Sequence, residues 1–103
     1  MTWHVYLAHV FGGAFIANAL PHLMAGIAGR PLQSPFASPP FRGMSSPAVN
    51  VAWALCNLVF AYLLLVCVGP LDLHDLPDAG FSFLGFACMA FLCSRSFSRL
   101  RAR

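Results

Sequence analysis

Residues Ala14 to Asn57 read AFIANALPHLMAGIAGRPLQSPFASPPFRGMSSPAVNVAWALCN, and the fold turns on this stretch. It opens with the back half of an apolar helix and closes with the front half of a second. Gly29 is placed to take the left-handed conformation that ends a helix, Arg30 meets the negative helix end, and Pro31 prevents continuation. Five prolines (Pro31, Pro35, Pro39, Pro40 and Pro47) punctuate residues 30–47. Each removes a donor and restricts the residue before it, so no regular helix can form there. A structureless loop of this length is uncommon unless it is functional or disordered. Phe36, Phe41 and Met44 favour insertion into a headgroup region, or packing back onto the helices, over plain disorder. Ser46-Pro47 is a restart signal, serine as the N-cap and proline at the first helical position.

Working outward, Val5 to Ile27 reads as a first membrane span. It rises roughly 35 Å, enough for a hydrocarbon core with modest tilt. MTWH, which precedes it, lacks the basic start of a signal peptide, and Trp3 and Tyr6 suit an interfacial aromatic belt. A second span, Ala48 to Val68, stops at Gly69-Pro70. The following LDLHDLPD carries all three acidic residues, Asp72, Asp75 and Asp78. The third span, Gly80 to Ser94, rises only about 22 Å. It can lengthen through Phe97 and Leu100 if Arg95 and Arg99 snorkel.

Composition agrees. The 103 residues bound the chain to one domain, 1–103. Hydrophobic residues make up 59% and charged ones 9%, against roughly a quarter charged in a soluble domain. So little charge cannot cover a water-facing surface. Without an acidic or basic block inside the chain, a nucleic-acid partner is not expected. The fold expected is all-α: an integral membrane, antiparallel three-helix bundle with a long Pro-rich loop between its first two helices. All six basic residues are arginine, which fits a GC-rich bacterial genome. Arg30 and Arg42 lie in the first loop, and Arg95, Arg99, Arg101 and Arg103 in the tail, residues 95–103. The positive-inside rule places both segments in the cytoplasm of a bacterial inner (plasma) membrane, with the N-terminus outside and the C-terminus cytoplasmic.

Polar residues inside the spans are the candidate site. Asn18 and His22 are one turn apart beside Pro21, which frees a carbonyl and bends the helix. Asn50, Trp53 and Asn57 share a stripe of the second helix. Since one helix ends where the other begins, Asn18, His22, Asn50, Trp53 and Asn57 can gather beneath the loop, as an interhelical clamp or as a ligand or proton path. Arg30, Arg42 and Ser46 could hold an anion at the second helix's N-terminus. No catalytic residue is assigned, for no nucleophile-base arrangement exists. His4, His9 and His74 have no metal-ligand spacing, and haem would require histidines facing His9 and His22 from spans that have none. No metal or other cofactor is therefore expected. Cys56, Cys67, Cys88 and Cys93 lie in the spans and read as small packing residues, although Cys56 or Cys67 could face a cysteine of the third. Gly13 and Ala17 form a small-x-x-x-small pair for close helix contact.

The runs NALPHLMAGIAG, LQSPFASPP and SSPAVNVAW, with Asn57 after them, resemble a family of small uncharacterised bacterial integral membrane proteins over roughly residues 18–57. The resemblance implies membrane residence and no particular reaction. It also suggests that the loop and its flanking Asn and His act as one unit. The leading functional expectation is a non-enzymatic accessory, assembly or self-associating membrane subunit, with the lipid bilayer and either its own copies or another membrane protein as partners. The alternative is a small transporter or channel for protons or a small polar solute, built on His22 and the asparagines.

Overall fold

The computed structural model describes residues 2–101; Arg103, counted above with the basic tail, lies outside them. The architecture is all-α. Helix α1 is Trp3–Ile27; α2 is Pro47–Tyr62, continued by a π-helical turn, Leu63–Cys67; α3 is Leu76–Arg101. All three, counting α2 through Cys67, are long and apolar enough to cross a membrane.

The ends of α1 and α2 follow from their capping residues. At the end of α1, Gly29 has φ 74°. The Arg30 amide donates to Ala25 O at 2.8 Å and the Gly29 amide to Gly26 O at 3.1 Å, the paired bonds of a Schellman cap. At the start of α2, the Ser46 hydroxyl accepts from the Val49 amide at 3.2 Å.

Helix α3 departs from the expected 80–94 at both ends. It begins at Leu76, because proline is tolerated in a first turn and aspartate favours the positive helix end. Asp78 thus belongs to the helix, where it is buried, and not to an acidic loop. At the other end α3 continues to Arg101, so Arg95 and Arg99 are helical residues and not a tail. Arginine is a good helix former and offers no stop signal.

The proline loop is not structureless either. Strands β1 (Leu32–Gln33) and β2 (Met44–Ser45) pair antiparallel, Leu32 opposite Ser45 and Gln33 opposite Met44. Ser34 and Ser45 are both buried and their hydroxyls are hydrogen-bonded to each other. The Ser34 carbonyl accepts from the Phe41 amide at 2.9 Å, with Phe41 itself in the left-handed region at φ 65°. Phe36 packs edge-on against Trp53, ring centroids 5.2 Å apart. Phe41 and Met44 stay exposed.

Helix α1 is the centre of the molecule. It packs against α2 on one flank and α3 on the other, whereas α2 and α3 barely meet. Helix α2 runs antiparallel to α1, since His22 meets Asn50 and His9 meets Gly69. Helix α3 runs parallel to α1, with Phe81 beside Tyr6 and Phe97 beside His22. Loop 30–47 and the end of α3 therefore share one end of the molecule, and the N-terminus and the α2–α3 connection share the other. The buried apolar residues are small, among them Ala8, Ala17, Ala19, Ala25, Ala54 and Ala61. With such residues between them the backbones approach closely. The small pair Gly13 and Ala17 faces this core, and a Cβ at Gly13 would run into the Ser82 carbonyl of α3.

The large side chains point outward. Phe83 and Phe91 are 71% and 77% exposed, as suits surfaces bathed in lipid. Reading the cysteines as packing residues holds for none of Cys56, Cys67 and Cys88, which are exposed; Cys93 is half-buried, and all four are free. The π-helical turn rotates the end of α2 so that Leu65 is buried and the chain passes Gly69 directly beneath α1.

Candidate functional site

Four of the expected residues join as two bonded pairs between α1 and α2. His22 Nδ1 lies 2.7 Å from Asn50 Oδ1, both side chains buried. The Asn50 amide group faces the carbonyls of Leu32, Ser45 and Ser46, each at 3.1 Å. Carbonyls only accept, so the Asn50 nitrogen must donate and its oxygen must accept. His22 therefore carries its hydrogen on Nδ1, and the neutral ring keeps a lone pair on Nε2. One turn deeper, Asn18 Nδ2 donates to Asn57 Oδ1 at 3.0 Å, and Asn57 Nδ2 donates to the Trp53 carbonyl at 2.7 Å. Cys93 Sγ reaches Asn18 Oδ1 from α3 at 3.6 Å. The fifth residue, Trp53, contributes its carbonyl here and its ring to the loop contact with Phe36.

Asn50 is the tie between loop and helices, because one side chain holds both strands and α1. Asn50→Ala removes all of those bonds and leaves buried carbonyls and His22 Nδ1 without partners, about 2–4 kcal/mol in sum. The expected outcome is a loop that opens while the helices persist. Limited trypsin digestion checks it: cleavage after Arg42 should become at least about ten-fold faster, the rate following the population of the open form. An unchanged rate would show that Asn50 is not the anchor.

Since α2 and α3 do not close against each other, a cleft of about 570 Å³ lies between them, bordered by Asn18 and His22 of α1. Trp53 forms one wall, Met89 and Leu92 the other, and Arg42 of the loop and Arg99 of α3 also line it. A second groove, about 620 Å³, runs on the opposite side of α3 and includes Arg30 and Arg101. The anion site expected from Arg30, Arg42 and Ser46 is not assembled. The two arginines border different cavities and the Ser46 hydroxyl is engaged as a helix cap.

The chain matches no protein-family model, no curated protein and no solved structure.

Sequence reasoning missed a second buried cluster, at the opposite end of the molecule. His9 is fully buried, with Nε2 2.8 Å from the Gly69 carbonyl and Nδ1 3.5 Å from Asp78 Oδ1. Asp78 Oδ2 accepts from the Asp72 amide at 3.1 Å. The His9 Nδ1–Asp78 Oδ1 contact is longer than a hydrogen bond, and both atoms, like Ser82 Oγ one turn along α3, are buried without a hydrogen-bond partner. The cluster joins α1, α3 and the connection between α2 and α3. No signal in the sequence pairs residue 9 with residue 78, and Asp78 looked like one of three loop acids. His4 and His74 take no part, and no group of three metal-ligating side chains occurs among the described residues.

Proposed function

We propose that this chain is a non-enzymatic accessory or assembly subunit of a bacterial inner membrane, acting with copies of itself or on another membrane protein. Its N-terminus would face outward and its C-terminus the cytoplasm, the basic end, with Arg30, Arg42, Arg95, Arg99 and Arg101, lying inside by the positive-inside rule. The observation that carries the proposal is the state of α3. It buries only Asp78 and Gly85, and α2 leaves its flank open. A helix anchored on one narrow line offers the rest of its surface, with Gly80, Ala90, Phe83 and Phe91, to a neighbouring helix.

The transporter reading draws less support. The asparagines and His22 Nδ1 are taken up by bonds inside the protein, and the α1 residues between His9 and Asn18 are VFGGAFIA, which offers no polar side chain for a path across.

Cys88 is exposed on α3 and supplies the test. In a Cys56→Ser/Cys67→Ser/Cys93→Ser background, a thiol-specific cross-linker applied to native membranes should give a discrete higher-mass species that disappears when Cys88→Ser is added, and native mass spectrometry of the gently solubilised protein should identify its second member. A chain that stays monomeric in both experiments sinks the accessory reading.

A further inference from the structure

We propose that the cleft between α2 and α3 is a binding site for an anionic phospholipid, its phosphate held by Arg42 and Arg99 and an acyl chain lying between Trp53 and the Met89–Leu92 wall. The inference rests on the membrane placement above but not on the accessory role.

The chemistry of the cleft is graded along its length. Arg42 and Arg99 are exposed at the end formed by the loop and the last turns of α3, and both border the cavity. Neither has a carboxylate partner among the described residues. The chain's three acids, Asp72, Asp75 and Asp78, all sit at or beside the first turn of α3, at the far end of the molecule. Two cations thus share one cavity without an internal counter-charge, and arginine is suited to phosphate because its planar fork can bind two oxygens at once. Away from that end the walls become apolar: Trp53 on α2 and Met89 and Leu92 on α3. At membrane depth, a molecule that matches a charged mouth and an apolar wall is a lipid with an ionised head.

Two further features favour this occupant. The cleft is open sideways, since α2 and α3 barely touch along its length, so a chain can enter from the bilayer without the helices parting. His22 lines the cavity with its Nδ1 fixed on Asn50. Its remaining nitrogen is then an acceptor, suited to a hydroxyl of a glycerol-type head and not to a quaternary ammonium. Basic pockets between membrane helices on the cytoplasmic side are where anionic headgroups are generally bound.

Trp53 reports on the site directly. In a Trp3→Phe background it is the only tryptophan left. The protein would be reconstituted in vesicles in which either phosphatidylglycerol or phosphatidylcholine carries brominated acyl chains that quench tryptophan. Quenching at Trp53 should report a relative association constant favouring phosphatidylglycerol by roughly ten- to thirty-fold. Arg42→Gln/Arg99→Gln should bring that ratio close to one. Arg30→Gln/Arg101→Gln, which removes the same charge from the other groove, should leave it high. Equal quenching by the two lipids in the parent chain, or equal loss in both double variants, overturns the site. Quenching by neither lipid would overturn the membrane placement beneath it as well, and so is distinguishable from failure of the site alone.

Discussion

Gly85→Leu is expected to detach α3 from α1, with a loss of more than about 3 kcal/mol and most of the cooperative unfolding transition. Gly85 is buried, and a Cβ built there falls onto the carbonyl carbon and oxygen of Val10. The obstacle is backbone, so no rotamer change relieves it; the helices must move apart. They are also held close from the other side, where Gly13 abuts the Ser82 carbonyl. These two glycines, one on each helix, set the spacing of a pair that has little else in its interface, because α3 buries no large side chain. Without water-driven apolar burial inside a membrane, close packing supplies most of the attraction, and a small separation loses most of it.

Gly80 makes the natural control. It lies in the same helix, yet a Cβ there meets nothing within 4 Å. Gly80→Ala should therefore be neutral, or stabilising by up to about 1 kcal/mol through helix propensity. The comparison can be read from helicity during denaturation in mixed detergent micelles. Near-equal effects at positions 80 and 85 would mean that the close α1–α3 approach does not hold the pair together.

How far the sequence foretells this arrangement depends on the range of each signal. Gly29, Ser46 and Pro47 act on their own backbone neighbours, and the ends they mark are where the structure has them. The spacing of Asn18 with His22, and of Asn50 with Trp53 and Asn57, reports shared faces, and because α2 begins at the end where α1 stops, those faces lie at one level. What remained illegible is governed by contacts distant in sequence. The start of α3 depends on whether Asp78 is solvated or buried, and that depends on His9 of α1. The two-residue strands have no periodicity to detect, and they persist because Asn50 ties Leu32 to Ser45. The apolar character of Cys56, Cys67 and Cys88 could not distinguish core from lipid, since both sides of a membrane helix are apolar. The cleft exists because α1, not a shared core, is the centre, a matter of packing that three similar hydrophobic spans do not specify.

Asp78→Ala carries the second large effect, about 2–4 kcal/mol, because it empties a buried position and strips a polar neighbour from groups on two elements. His9 Nε2 must donate to the Gly69 carbonyl, which can only accept, so the ring's other nitrogen is the one turned to Asp78. Through its two oxygens the carboxyl group meets His9 of α1 and the Asp72 amide of the α2–α3 connection. Alanine abandons both, and the His9 ring is fully buried, so water cannot take over without opening the helix contact. Asparagine is different. Its oxygen can accept from the Asp72 amide while its nitrogen donates to His9 Nδ1, so that every group has a partner with no charge at all. Asp78→Asn should accordingly lie within about 1 kcal/mol of the parent, since every buried polar group that the carboxylate meets keeps a hydrogen-bond partner. A double-mutant cycle with His9→Ala separates the pair from its surroundings, and a coupling of at least about 1 kcal/mol is expected for side chains in direct contact. Additive losses in that cycle would mean that His9 and Asp78 are merely neighbours, each serving the backbone group on its far side.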